Sequence, residues 1–367
     1  MQPNGYTVGD TISIRKPTDF TVRDGATAAA QDVQEGKTTL VVDKRKGVDF
    51  KFTSQQLTLD IKELSDRVIK PAMVQLANQI DTDLHGLYKY VPNWVGTPGN
   101  LINSFADFAK GPNRLDNIAV PMDQRTAVLC PDDHWALVGS QTGLYVDTIA
   151  KPAFRDGETG RIGNVDLFMT QNVASHTCGS DMSGTVNQSI TTSTITYASV
   201  RDSMQQTITT SSVSLLPGDV FTIADVYDVN PVTKVSTGYE KQFTCISYSS
   251  NSLVFYPAMI WTGAFQNVAV TSGVTDLNTK AITAVGTANA TYRQNMIFHK
   301  NAFALVSVPL VSPPGAVDVG RQTYKGTSVR VIPVYDGIND ESMWRLDILD
   351  GVKAVDPRLA VRLSGSA

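Results

Sequence analysis

Through the first sixty residues, hydrophobic and polar positions alternate with a period of two. Ile12 and Ile14 stand between polar neighbours in "DTISIRKP" (10–17), as a half-buried strand requires. "FTVRDG" (20–25) closes on an Asp-Gly turn signal. "TTLVVDKRKGVDFKFT" (38–53) reads as two strands around Lys44-Arg45-Lys46-Gly47. A long hairpin with a basic tip has little core of its own, so this arm is expected to lie on something else. From residue 61 the period becomes about 3.6. Ile61, Leu64, Val68, Ala72, Leu76, Ile80, Leu84 and Leu87 fall three or four apart on one helical face. Run to Tyr90, this predicts a helix of about 45 Å at ~1.5 Å per residue. Asp60 and Glu63 sit where a capping box would place them. Pro71 is expected to kink the helix or split it.

Shorter mixed elements follow. "NLINSFADFAKGPNR" (100–114) predicts a helix ended by Gly111-Pro112, "RTAVLCP" (125–131) a strand, and "DDHWALVGSQTG" (132–143) a helix with acidic residues in its first turn. "KPAFRDGETGRIGN" (151–164) reads as an exposed loop and "VDLFMTQNVA" (165–174) as a strand. Between about Gly179 and Asn289, Ser and Thr crowd in, charge thins and the alternation is of the β kind throughout. That stretch has the size of an independent β-barrel or sandwich, set into a mixed chain that resumes after it. "NMIFHKNAFALVSVPL" (295–310) is apolar apart from His299-Lys300-Asn301. It reads as two strands about a polar turn, the second buried from Phe303 to Leu310. "TSVRVIPVYDG" (327–337) and "WRLDILDGVKAVDPRLAVRL" (344–363) read as strands with turns at Asp336-Gly337 and Asp350-Gly351. The fold class is α+β. The expected division is an arm and hairpin over 1–60, a core over 61–178, an inserted all-β domain over 179–289 and the rest of the core over 290–367.

The totals narrow the function. Apolar content is 42%, charged content 18% and net charge −4, so the chain folds and offers no broad basic face for sequence-specific DNA or RNA binding. Cys130, Cys178 and Cys245 are odd in number and far apart, which reads as free thiols in a reducing compartment. "MQPNGYTVGD" has neither the basic start nor the apolar run of a signal peptide, and no apolar run is long enough to span a bilayer.

Candidate chemistry is sparse. Gly36-Lys37-Thr38 ends like a phosphate loop, but Gln31 stands where the pattern needs Gly and a strand follows where it needs a helix. Asp132, Asp133 and His134 could hold a metal, yet acidic residues opening a helix explain them equally well. Asp81 and His85, four apart, read as a solvated pair on a helix. His176 and Cys178 share one side of a strand but lack two further ligands. Neither catalytic residues nor a metal or cofactor site is expected. A single His with no carboxylate nearby in sequence reads as structural, so His299-Lys300-Asn301 is assigned to a turn.

The order of elements, together with "GDTISIRKPTDFTVRDG", "QLTLDIKELSDRVIKPAMVQLANQIDTDL", "NMIFHKNAFALVSVPL" and "GVKAVDPRLAVRLSG", resembles the major capsid proteins of tailed bacteriophages with the Hong Kong 97-type fold. The narrower likeness is to the branch with an inserted β-barrel, typified by a Salmonella short-tailed phage coat protein. Members usually carry several dozen residues ahead of the arm, where this chain enters at "GYTVGDTISI". The resemblance implies a spine helix packed on a sheet, an extended arm and loop, and self-assembly into an icosahedral shell around the genome, with no enzymatic step. It implies as partners many copies of the same chain in hexamers and pentamers, scaffolding and portal proteins, and packaged DNA held without sequence-specific contacts. It implies no membrane, assembly in the bacterial host cytoplasm and residence in the virion. Lys44, Arg45 and Lys46 are assigned to an acidic patch on an adjacent subunit. The rival readings are a tail or adhesin component, suggested by the Ser/Thr-rich region, and a hydrolase using Asp132, Asp133, His134 or His176.

Overall fold

The computed structural model describes residues 11–366 apart from 24, 29, 60–64, 142–159, 192–193, 314–318 and 325. The Asp60/Glu63 capping box, the turn residue Asp24 and most of the 151–164 loop lie outside the described residues. Strands β1 (Thr11–Arg15) and β2 (Lys37–Val41) open the described chain. The chain forms two compact units, one from the residues up to Ile14, Thr39–Leu84 and Phe303–Lys353, the other from Arg15–Thr38, His85–Ala302 and Ala354–Ala367.

The first unit is a sheet faced by a helix. Its strands are β3 (Lys44–Thr53), β18 (Phe303–Ser307), β19 (Gly320–Tyr324), β20 (Thr327–Asp336) and β21 (Glu341–Ala354). β21 is central: it runs antiparallel to β20 on one side and to all ten residues of β3 on the other. Helix α1 (Ser54–Leu59) follows β3, and a π-helical turn over Ser65–Ile69 leads into α2 (Lys70–His85), which tightens into a 3-10 turn over Gly86–Tyr90. Pro71 follows the π-helical turn directly, so its missing N–H removes one backbone bond inside a continuous helical run, and the helix passes from π to α form there instead of breaking. The four-residue spacing of Ala72, Leu76 and Ile80 puts them on one face, buried against Val329, Leu346 and Ile348, with Val48 and Phe50 packed alongside. Each such side chain contributes roughly 1.5–3 kcal/mol when fully buried.

Three expectations for this unit are corrected. Lys44-Arg45-Lys46-Gly47 is not a hairpin tip but the start of β3, which pairs with the distant β21, Lys44 opposite Asp350, and not with β2. Asp350-Gly351 is not a turn but lies inside β21. A Cβ on Gly351 would stand 2.4 Å from the Val41 carbonyl oxygen, so the glycine marks a close backbone approach. β18 ends at Ser307 and is half-buried, not buried to Leu310. The turn at Asp336-Gly337 is present between β20 and β21.

The second unit joins a six-stranded sheet to a barrel. The sheet orders β4 (Asn93–Val95), β22 (Ala360–Leu363), β17 (Asn295–His299), β5 (Arg125–Leu129), β7 (Val165–Met169) and β6 (Arg161–Ile162). Helices α3 (Phe105–Asn117) and α4 (Pro131–Gln141) belong with it, and Phe108, Leu115 and Leu137 share a core with Ala127, Leu129, Ile297 and Val361. Ser104 caps α3, its hydroxyl accepting from the Asp107 N–H at 3.1 Å. Gly111-Pro112 does not end α3, as the sequence suggested. Proline deletes one helical hydrogen bond, while Phe108 before it and Leu115 after it are fully buried and hold both turns.

Strands β8 (Ser175–Thr177) and β16 (Thr291–Arg293) pair antiparallel, and the chain between them forms the barrel. Its strands are β9 (Ser183–Val186), β10 (Gln206–Ser211), β11 (Val220–Val229), β12 (Ser236–Ser249), β13 (Ser252–Tyr256), β14 (Val268–Val270) and β15 (Ala281–Ala284). The order β12-β13-β10-β9-β15-β11 closes through a β12–β11 pairing, and β14 joins β11. Closure leaves no free edge among the six. Phe221, Phe243 and Phe255 fill the interior with ring centroids 5.0–5.7 Å apart. One turn of helix, α5 (Tyr197–Val200), interrupts the β pattern.

Candidate assembly surface and barrel joint

Strand geometry splits the basic triplet. Alternate side chains of β3 face opposite sides of the sheet, so Lys44 and Lys46 share the face of Val48 and Phe50, packed with α2, while Arg45 takes the other. Lys44 Nζ lies 2.9 Å from Asp83 Oδ2, and Lys46 also pairs with Asp83. Lys46 is 3.8 Å from Asp350 Oδ2 as well. Burial raises the Asp83 carboxyl, but hydrogen bonds from Lys46 and Lys44 outweigh it and hold its pKa below the ordinary value. Asp350 has the opposite balance. Its carboxyl is fully buried, neither oxygen accepts a hydrogen bond, and burial raises its pKa against the pull of Lys46.

On the other face, Asp347 collects three arginines. Its Oδ2 lies 2.6 Å from Arg330 Nη2, 2.9 Å from Arg345 Nε and 3.1 Å from Arg45 Nη2. Burial raises this carboxyl too, and hydrogen bonds from Arg330, Arg345 and Arg45 more than offset it, so its pKa is lowered.

In the second unit, two polar clusters join the barrel to the sheet. Asp219, in the tight turn before β11, receives His176 Nε2 at 2.8 Å, the Gly179 N–H at 3.0 Å and the Leu216 N–H at 2.6 Å. Tyr88 Oη meets the other ring nitrogen of His176 at 3.1 Å. Arg362 on β22, fully buried, donates to the Gly218 carbonyl at 2.7 Å and lies over the rings of Tyr88 and Trp94. In the other cluster, Asp228 on β11 takes Lys241 of β12 at 2.6 Å and Arg114 of α3 at 2.8 Å. Burial lowers the Lys241 pKa, and Asp228 opposes that shift.

The remaining sequence candidates stand in the following contacts. Ligand atoms of His176, Cys178 and Asp219 lie within 4.8 Å of one another, so the structure supplies a third residue to the pair noted in the sequence. Asp219 already accepts three hydrogen bonds, and burial followed by Asp219 pushes the Cys178 thiol up to about 12. Metal binding there would displace bonds that hold the turn. Asp133 Oδ1 accepts from the Ile102 N–H and Oδ2 from Cys130 Sγ and Asn295 Nδ2. Asp132 stands apart, 3.7 Å from Arg293, and His134 is buried edge-on to Trp135. His85 is buried, not on a solvated face. Gly36-Lys37-Thr38 runs into strand β2 and no helix follows. His299 is the last residue of β17, paired with Arg125, so the expected turn begins at Lys300, and His299 Nδ1 accepts from the Asn301 N–H at 3.3 Å.

The sequence reading missed Asp83, Asp219, Asp228, Asp347 and Asp350. Each carboxylate sits within a strand, helix or turn whose local pattern is ordinary, and its partners are brought from distant segments. The one local signal was a charged residue at an inward strand position, as in "RLDILD".

A family model described as "P22 coat protein - gene protein 5" matches residues 6–365. The major capsid protein of Acyrthosiphon pisum secondary endosymbiont phage 1 is 23% identical over 387 residues, covering 98% of this chain and 89% of that protein. A solved structure from Mycobacterium phage Che8 superposes with a TM-score of 0.51 at 13% identity, covering 96% of this chain and 84% of that one. The mature capsid asymmetric unit of bacteriophage PhiM1 gives 0.44 at 10% identity, covering 98% and 82%.

Proposed function

The chain belongs to the P22 coat protein family, has the Hong Kong 97-type capsid fold and is a major capsid protein of a tailed bacteriophage, a component of the virion; from that premise we propose how it does its work. Copies of the chain associate as hexamers and pentamers and close an icosahedral shell around the genome. Scaffolding and portal proteins assist during assembly in the host cytoplasm. The DNA inside is held without sequence-specific contacts. The work is packing and not catalysis. In support, Asp133, His134, His176 and His299 are buried in structural contacts. Among the described residues no helix is long and apolar enough to cross a membrane.

Residues 179–289 act as an inserted domain fixed to the core by the Asp219 and Asp228 clusters, so that barrel and sheet move together. The intersubunit role assigned to Lys44, Arg45 and Lys46 is apportioned by their facing: Lys44 and Lys46 set the sheet on α2, and Arg45, half exposed beside Asp347, is the member that serves a neighbour. The observation that carries this reading is the arginine-rich outer face of β3 and β21, where the Arg45 and Arg345 side chains are 49% and 43% exposed. Sedimentation velocity of the purified chain, with negative-stain microscopy of the fast fraction, tests it. Regular hollow shells support it; small rings or trimers alone at every concentration overturn it.

A further inference from the structure

On the sheet face away from α2, residues from four strands fall in one file. Arg321 stands opposite Arg330, Arg330 opposite Asp347, and Asp347 opposite Gly47. Gly47 leaves the room this file needs, since a Cβ there would lie 2.8 Å from Asp347 Oδ1. Arg45 approaches the same carboxylate along the diagonal from β3, and Arg345 from two positions earlier on β21. Like charges directly opposed across a strand pair are destabilising, and Arg321 and Arg330 are so opposed.

The file is short of acceptors. Among the described residues, Asp347 meets Arg45, Arg330 and Arg345, and Asp49 lies 4.0 Å from Arg345 Nε, which leaves one cation over, while Arg321 at the end of the file meets only the Leu310 carbonyl, at 3.4 Å. Each guanidinium carries five donors in a planar fork, and one carboxylate cannot satisfy three of them. Arg330 is 93% buried, with one nitrogen on the Val311 carbonyl at 2.5 Å and another on Asp347, yet among the described residues its Nε has no acceptor. A buried donor without a partner costs about 1–3 kcal/mol. The whole chain has the opposite balance, with 35 acidic against 31 basic residues.

We propose that this arginine file is an anion site that takes a carboxylate presented by a second copy of the chain. The proposal rests on the reading of the chain as a shell subunit and adds which surface holds the neighbour and by what chemistry. Guanidinium forks match carboxylates two bonds at a time. The chain's surplus of acidic side chains supplies the ligand in every copy. A monoanion suits the site better than a phosphate, because Asp49 and Asp347 flank it and repel a second negative charge.

The test compares wild type with Arg45→Glu/Arg345→Glu as full-length chains. Both side chains are half exposed, and thermal unfolding establishes that the variant folds. By sedimentation velocity at equal concentration, the variant is expected to give at least tenfold fewer shells and to accumulate as subunits. A second arm needs no variant: wild-type assembly in sodium acetate, a monocarboxylate, is expected to fall below that in sodium chloride of matched ionic strength. A folded variant that assembles at the wild-type yield, or acetate acting no differently from chloride, overturns the site. Variant shells that form normally but retain less DNA assign the file to phosphate and overturn the carboxylate. A wild-type chain that yields no shells in chloride overturns the assembly reading and the site with it, an outcome distinct from failure of the site alone.

Discussion

Arg45 and Lys46 are neighbours in the chain, yet β3 turns them to opposite faces of one sheet, Arg45 to Asp347 and Lys46 to Asp83. Lys46 therefore ties β3 to α2 while Arg45 points away from it. Asp83 is the anchor on the helix, with its side chain 16% exposed and two lysines upon it.

Removing the Asp83 charge takes from Lys44 its carboxylate partner and leaves Lys46 only the longer contact to Asp350. Asp83→Asn is expected to lower stability by about 2 kcal/mol at pH 7, the scale of a lost charge-assisted hydrogen bond. The folded-state pKa of Asp83 lies below its ordinary value of 3.8. Its contribution is thus present above that value and lost as pH falls through the folded-state pKa. Urea unfolding at pH 7 and pH 3 checks this: the gap between wild type and variant is expected to narrow at the lower pH.

Asp350 bears on stability with the reverse sign. Its folded-state pKa lies above 3.8, so the molecule is favoured while the group is protonated and loses stability as pH rises through the folded-state pKa. The charged groups facing it are Lys46 and Lys44 of β3, Asp83 of α2 and Asp43 before β3. Asp350→Asn keeps the shape and removes the ionisation. It is expected to match wild type near pH 3 and exceed it by about 1–2 kcal/mol at pH 8, within the range found when buried ionic groups are replaced by neutral ones. Equal stabilities at both pH values would refute this account of Asp350.

What the sequence showed and hid divides along the range of the interactions. The spacing of Ala72, Leu76 and Ile80 is local and marked the helix face that is buried. The Ser/Thr-rich alternation of 179–289 marked the β-region in which barrel strands from Ser183 to Ala284 are found. Pairing partners were hidden. Alternation showed that residues 44–53 form a strand, but only pairing with β21 decides that Lys46 faces the helix. Asp350-Gly351 carried the local signature of a turn, yet the glycine is there because the Val41 backbone passes against it. Gly351→Ala tests that reason. A solvent-exposed turn would tolerate the methyl, whereas a Cβ placed 2.4 Å from a carbonyl oxygen forces backbone to move. A loss of about 1–3 kcal/mol is expected, as for overpacked sites, measured by chemical denaturation.

The Asp228 cluster decides whether barrel and core behave as one body. Asp228 is fully buried and is the only carboxylate among the described residues in ion-pair contact with Lys241 and Arg114. Lys241 belongs to the barrel and Arg114 to α3, so one carboxylate neutralises a cation from each. Asp228→Ala leaves two buried cations facing each other with no anion between them. Removing one partner of a buried ionic group costs about 3–5 kcal/mol, and here the loss falls on the joint. The expected result is a lower unfolding midpoint together with faster protease cleavage in the chain linking barrel and core. Lys241→Met is expected to be milder, because Arg114 still pairs with Asp228 and the methionine fills the lysine's volume. An Asp228→Ala chain that unfolds at the wild-type urea concentration and resists protease equally would show that apolar packing alone holds the barrel in place.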